Sequence, residues 1–255
     1  MRGDCLISEL EIIGKGNTAT VYRLEDAKVL KLFHKGYPKE AVEKEFSNAQ
    51  AVQVMDFPKP NAYEIVRCEG QLGIIYDRVE GISLLEWVTE TQDVQQCAIY
   101  MADLHKAIFQ NGTSGVPNYK EFLEHCLAKG LSANVGKQRE VREMLARLKS
   151  GNTLCHGDFH PGNIFISDGR AVVIDFMNVC HGPYLYDIAR TVFLVEYTPI
   201  PGNVPDREKL QQFRKDLADR YLMQMDVTRD QIEDYLSVII AARLGECPDE
   251  TGLQL

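Results

Sequence analysis

The sequence predicts an α+β fold in two unequal parts: a small antiparallel β-sheet with one helix, then a mostly helical part carrying one β-hairpin. Three observations predict it. Short β-branched runs separated by turn residues fill the chain up to Tyr76. Amphipathic stripes at helical spacing dominate from Leu84 onward. Between those helices, two apolar runs fold back about an Asp-Gly turn.

Taken in order, Met1-Arg2-Gly3-Asp4-Cys5-Leu6-Ile7 has neither the apolar core of a signal peptide nor a cleavage site. Leu10-Glu11-Ile12-Ile13 then reads as a strand, Gly14-Lys15-Gly16-Asn17 as a glycine turn, and Val21-Tyr22-Arg23-Leu24 as the returning strand. Because that turn joins two strands, it is neither a dinucleotide fingerprint nor a Walker loop, both of which lead into a helix. A glycine turn between antiparallel strands suits a flap over nucleotide phosphates, which makes Gly14 and Gly16 candidate nucleotide-binding positions. After a turn at Glu25-Asp26, Lys28-Val29-Leu30-Lys31-Leu32-Phe33 forms the next strand. Lys31 has apolar neighbours on both sides, so its ammonium must snorkel out or meet an acid.

A helix from about Pro38 to Val54 offers that acid. Val42, Phe46, Ala49 and Gln53 share a face, with Glu45 at its edge and Glu43 further round. Glu45 is the expected partner of Lys31, and the pair would aim the ammonium at the α- and β-phosphates. Two more strands follow near Tyr63–Val66 and Leu72–Tyr76. Asp77-Arg78-Val79-Glu80-Gly81 is an extended polar crossing whose backbone groups suit an adenine edge, with Asp77 and Val79 as the candidates. The break at Gly81 divides the chain into a nucleotide-binding part, 1–80, and a catalytic and substrate-binding part, 81–255.

Within the second part, Ile164-Phe165-Ile166 and Ala171-Val172-Val173-Ile174 flank Ser167-Asp168-Gly169-Arg170, and Asp-Gly favours a tight hairpin. Folding about that turn brings Asn163 and Asp175 to the same open end. Phosphoryl transfer needs a carboxylate at the attacking group and oxygen ligands for a hard cation on the nucleotide. Asp158, just upstream, meets the first need; Asn163 and Asp175 meet the second, as Mg²⁺ ligands. The later helices carry core stripes: Leu210, Phe213, Leu217 and Tyr221 in one, then Ile232, Tyr235, Leu236, Ile239 and Ile240 behind a capping box of Thr228 and Gln231. Pro199–Pro205 reads as a loop able to wall a substrate site.

Bulk properties bound the partners. With 255 residues and 45% hydrophobic content, the chain can bury one large or two small cores. A net charge of −9 argues against a nucleic-acid groove and an anionic membrane surface. Seven cysteines without Cys-x-x-Cys spacing read as free thiols of a reducing compartment. A soluble, cytoplasmic monomer or weak homodimer acting on a small molecule is expected.

These residues together resemble the aminoglycoside phosphotransferase and choline kinase family. The resemblance runs through Ile13-Gly14-Lys15-Gly16, Lys31, Glu45, Glu80-Gly81, Met101-Ala102-Asp103-Leu104-His105, His156-Gly157-Asp158-Phe159-His160-Pro161-Gly162-Asn163, Ile174-Asp175-Phe176 and Gly182–Ala189. It implies a protein-kinase-like two-lobed fold and transfer of the γ-phosphoryl group of ATP or GTP to a small-molecule hydroxyl. Asp158 would then be the catalytic base, Asn163 and Asp175 the Mg²⁺ ligands, and Lys31 the phosphate lysine. His156 would be structural, Asp187 would anchor the catalytic loop from beneath, and His160 would serve the chemistry or the loop. Met177 and Asn17 replace glycines of the protein-kinase pattern, and only a short link joins Asp175 to Asp187. That link leaves no room for a peptide platform. Aminoglycosides, sugars and amino-alcohols are the acceptors considered, with Glu196, Asp206, Glu246, Asp249 and Glu250 as acids available to an amino-sugar. A pseudokinase or nucleotide-binding regulator without turnover is the first alternative, against which the joint retention of Lys31, Asp158, Asn163 and Asp175 argues; a protein kinase is the second, against which the short link argues.

Overall fold

The computed structural model describes residues 10–25, 27–113, 115–132, 134–200 and 204–248. The Met1–Ile7 segment with Cys5, Asp26 of the first turn, 201–203 of the proline loop, and Asp249 with Glu250 lie outside the described residues.

Five strands, β1 (Ile12–Lys15), β2 (Ala19–Arg23), β3 (Lys28–Phe33), β4 (Ala62–Cys68) and β5 (Gln71–Asp77), make an antiparallel sheet in the order β1-β2-β3-β5-β4. Alternation along β3 sorts its side chains by face. Leu30 and Leu32 join Cys68 in a small cluster on one side, while Phe33 joins the main core on the other. Helix α1 (Lys39–Gln53) runs between Pro38 and Val54, as the sequence predicts.

Two expectations in this region need correcting. Gly14 lies within β1, where a register shift separates Ile12 from Gly14, and the tight turn runs from Gly16 to Ala19, closed by the Gly16 N–H on the Ala19 carbonyl at 2.9 Å. The buried face of α1 is Val42, Glu45, Asn48, Ala49 and Val52, whereas Gln53 is exposed. Polar residues enter that face because partners distant in sequence satisfy them, which periodicity does not register.

The remaining elements are β6 (Ile82–Ser83), α2 (Leu84–Thr91), α3 (Val94–Phe109), α4 (Tyr119–Gly130), α5 (Val135–Arg147), β7 (Thr153–Cys155), β8 (Ile164–Ser167), β9 (Arg170–Val173), β10 (Cys180–Gly182), α6 (Tyr184–Val192), α7 (Arg207–Met225) and α8 (Arg229–Glu246). A π-helical turn, Phe193–Tyr197, extends α6. Helix α8 packs across α4, α5 and α6, and α7 lies along α3. The predicted Thr228–Gln231 capping box opens α8. One continuous buried cluster runs from Ala19 and Phe33 in the sheet to Ala242 in α8.

The β8–β9 hairpin turns at Asp168 and Gly169, with φ of 48° and 75°, so both central residues occupy the left-handed region that such two-residue turns demand. β6 adds a third strand beside β8. Gly81, immediately before β6, has φ of 111°, and a Cβ there would lie 1.9 Å from the Ile166 carbonyl oxygen. Glycine is therefore required where the chain passes from the sheet to the helical part. Cys97, Cys126, Cys155 and Cys180 are free thiols. No described helix is long and apolar enough to cross a membrane.

Candidate active site

The short ribbon of β7 and β10, paired Cys155 to Cys180, delivers a loop beginning at His156. Gly157 adopts φ of 75°, and a Cβ there would meet the Asn178 carbonyl oxygen at 2.2 Å. The loop's first two N–H groups donate to one buried carboxylate: His156 N to Asp187 Oδ2 at 2.5 Å and Gly157 N to Asp187 Oδ1 at 2.9 Å. His105 Nε2 lies 2.9 Å from the same Oδ2, and its Nδ1 lies 2.6 Å from the Tyr221 hydroxyl. Burial works to raise the Asp187 pKa, but the facing His105 and His156 rings and the loop N–H groups hold it below the ordinary value. Arg190, one turn on in α6, donates to the Gly157 carbonyl at 3.1 Å and forks onto Glu246 at the end of α8.

The His156 ring bridges the loop to the hairpin, with Nε2 3.1 Å from the Ile174 carbonyl and Nδ1 accepting the Asp158 N–H at 3.3 Å. Burial pushes its pKa down. His160 turns Nδ1 to the Gly162 N–H at 3.1 Å, capping the 3₁₀ turn Pro161–Asn163. Its Nε2 stands 4.0 Å from Asp158 Oδ2. Burial lowers its pKa too, although Asp158 and Asp175 oppose this.

Asn163 donates its amide to Asp158, at 3.0 Å to the main-chain oxygen and 3.1 Å to Oδ2. Across the hairpin, the Ile174 N–H donates to the Asn163 carbonyl at 2.9 Å, so Asn163 and Asp175 do share one open end. Lys31 reaches that end from β3, with Nζ 2.7 Å from Glu45 Oε1 and 3.1 Å from Asp175 Oδ1. Burial works to lower the Lys31 pKa, but Asp175 and Glu45 outweigh it and raise it, so the ammonium stays charged. Burial likewise opposes ionisation of Asp175, and Lys31 reverses that, holding its pKa below the usual carboxylate range.

Among the described residues, no group of three or more His, Cys, Asp or Glu is arranged to hold a metal by itself. The donor set does fit a nucleotide-borne hard cation. With its nitrogen on Asp158, the Asn163 side-chain oxygen takes no hydrogen bond among the described residues, and the Asp175 side chain at the same end of the hairpin remains 30% accessible.

At the Asp77–Val79 crossing, the Asp77 carboxylate is engaged by Asn61 and Tyr63, which leaves the backbone as the part of Asp77 open to a ligand. The Asp77 and Arg78 N–H groups bond Asn61 and Ala27 carbonyls. Val79 N–H has no partner among the described residues. Gly14 and Gly16 have no positive φ, and a Cβ on either would find its nearest neighbour at 3.5 Å, so the fold itself does not demand glycine there.

Three residues at the site escape sequence reasoning. Tyr76 donates its hydroxyl to Glu45 Oε1 at 2.9 Å. Asn48 donates to the carbonyls of Phe176 at 2.9 Å and Met177 at 3.2 Å. Arg190 is 1% exposed, one turn after the buried Asp187 in α6. A polar residue interrupting an apolar helical face was the available signal for Asn48 and Arg190; Tyr76 left none. Of the acids considered for an amino-sugar, Glu196 is held by Arg229 at 2.7 Å, and Glu246 by Arg190 and Arg243.

Comparison with known proteins finds similarity to several small-molecule kinases. Methylthioribose kinase of Erwinia tasmaniensis is 33% identical over 96 residues, 35% of this chain and 24% of that kinase. The Pectobacterium atrosepticum methylthioribose kinase is 38% identical over 63 residues, 24% of this chain and 16% of the relative. These matches span a quarter or less of the relatives' length. An amicoumacin kinase solved with AMP-PNP and Ca²⁺ superposes with a TM-score of 0.62 at 15% identity, covering 95% of this chain and 81% of that one. An aminoglycoside-3'-phosphotransferase of type VIII gives 0.61 at 14%, covering 91% and 92%. A choline/ethanolamine kinase family protein from Mesorhizobium loti gives 0.59 at 13%, covering 93% and 78%. The fold is thus that of protein-kinase-like small-molecule kinases. The sequence profile of the phosphotransferase enzyme family matches residues 9–229, and with most of its length covered this chain belongs to that family.

Proposed function

We propose that the chain is a Mg²⁺-dependent phosphotransferase that moves the γ-phosphoryl group of ATP or GTP to a hydroxyl of a small molecule. The carrying observation is the meeting of Asp158, Asn163, Asp175 and Lys31 at one end of the β8–β9 hairpin. Asp158 orients the acceptor hydroxyl and takes its proton as the oxygen attacks phosphorus. Asn163 fixes the Asp158 carboxylate through its amide. Lys31, kept protonated by Glu45 and Asp175, places its charge at the nucleotide phosphates. Asn163 and Asp175 would hold Mg²⁺, which when bound offsets charge on the phosphate oxygens.

In this reading residues 1–80 bind nucleotide under the Gly14–Gly16 flap, with Asp77 and Val79 backbone groups at the base, and 81–255 supply catalysis and the acceptor site. The tolerance of a Cβ at Gly14 and Gly16 supports a ligand, not the fold, as the reason for glycine. The acceptor is a sugar-type neutral alcohol. The engagement of Glu196 and Glu246 by arginines disfavours a polycationic amino-sugar, and the similarity to methylthioribose kinases favours a sugar.

A coupled assay of ADP or GDP release against neutral sugars, thiosugars, amino-alcohols and aminoglycosides tests this. Asp158→Asn should lower acceptor-dependent turnover by about 10²–10⁴-fold. An unchanged rate in that variant overturns the role of Asp158, and turnover confined to aminoglycosides overturns the acceptor reading.

A further inference from the structure

We propose that Asn48 is a positioning residue for Asp175: its amide clamps the backbone just beyond Asp175 and holds that carboxylate in a metal-ligating pose. The inference rests on the reading of Asp175 as a Mg²⁺ ligand. Asp175 has φ of 69°, in the left-handed region that favours glycine. A non-glycine residue persists there when its surroundings over-determine it. On the side-chain end, Oδ1 takes Lys31 at 3.1 Å and the Met177 N–H at 3.4 Å. On the backbone end, the next two carbonyls, Phe176 and Met177, both accept from Asn48 Nδ2. One amide nitrogen has two hydrogens, one for each carbonyl.

Asn48 is 4% exposed and lies one turn beyond Glu45 on the buried face of α1. Helix α1 therefore grips Asp175 twice, through Glu45 and Lys31 on the carboxylate and through Asn48 on the main chain. An asparagine among Val42, Ala49 and Val52 is costly unless both hydrogens are used. Leucine at this position keeps the branched outline with bulkier ends, removes the Asn48 donor from the Met177 carbonyl and leaves the Phe176 carbonyl only the Val179 N–H at 3.4 Å. Serine keeps a single donor on a shorter stem.

Calorimetric titration of the full chain with a non-hydrolysable ATP analogue, with and without Mg²⁺, tests the proposal alongside turnover over a Mg²⁺ series. Asn48→Leu should leave metal-free affinity within about twofold, yet cut the affinity gained from Mg²⁺ and raise half-saturating Mg²⁺ by about 10–100-fold. Asn48→Ser should shift both in the same direction by less, and it serves if the leucine variant does not fold. A folded variant with wild-type Mg²⁺ dependence overturns the proposal, even if its melting temperature falls. A wild-type chain whose nucleotide affinity does not respond to Mg²⁺ overturns the parent reading, and this inference with it.

Discussion

Asp187→Asn is the substitution that most sharply tests how the loop carrying Asp158 is held. The carboxylate is fully buried and accepts from His156 N, Gly157 N and His105 Nε2. An amide has one acceptor oxygen. Placed at the Oδ2 position, that oxygen keeps His156 and His105, while the amide nitrogen faces the Gly157 N–H, donor against donor. One buried unsatisfied donor costs about 1–3 kcal/mol, and each remaining bond loses about 1 kcal/mol on exchanging a charged for a neutral acceptor. The sum is about 3–5 kcal/mol, a large part of a typical domain's 5–15 kcal/mol. At this chain length that corresponds to a melting temperature lower by about 6–20 °C. Denaturant unfolding followed by circular dichroism reads it directly. The wild-type protein has a linked signature. Because the Asp187 pKa is lowered in the fold, its contribution is complete above the ordinary carboxylate value of 3.8 and disappears as pH falls through the folded value below it. A change under about 1 kcal/mol in Asp187→Asn at neutral pH would refute the reasoning.

Two glycine substitutions should separate fold from function. Gly14→Ala and Gly16→Ala should change unfolding free energy by less than about 0.5 kcal/mol, because neither Cβ meets an atom closer than 3.5 Å, while the nucleotide KM rises; unchanged KM in both would remove the flap from the site. Gly81→Ala meets the Ile166 oxygen at 1.9 Å on a φ of 111°, and should lose more than about 2 kcal/mol of stability in a chemical melt. Wild-type stability there would show that the β6–β8 approach is not rigid.

The parts legible in the sequence are those where residue type sets both backbone and chemistry. Asp168-Gly169 dictates a two-residue turn, and the turn alone brings Asn163 to Asp175. A lysine enclosed by apolar neighbours in β3 demands an acid, and Glu45 is where helical spacing puts one. What stayed hidden depends on long-range partners. Asn48 enters the face that periodicity assigned to Val42, Phe46, Ala49 and Gln53, because the carbonyls of Phe176 and Met177 satisfy it there, and Gln53 turns outward. The ribbon of β7 and β10 is three residues on each side, too short for alternation to register. Met177, which departs from the glycine of protein kinases, sits where its carbonyl receives Asn48.

The charge arrangement connects these features to the proposed chemistry. One ammonium, Lys31, faces the carboxylates of Glu45 and Asp175, and Asp158 stands across the hairpin end with Asn163 on its oxygen. His160 adds no compensating charge near neutrality, since burial keeps its ring below the ordinary imidazole value. On the proposed reading a polyphosphate entering such a site meets more carboxylates than ammonium groups, so cationic charge arriving with it strengthens its binding. Two side-chain oxygens, Asn163 and Asp175, are too few to retain a hard divalent ion alone, whereas phosphate oxygens complete such a set. On the proposed reading the cation and the nucleotide therefore enter as one ligand. The protein's part is to keep Asp175 turned toward them, which Lys31 does through the carboxylate and Asn48 through the backbone.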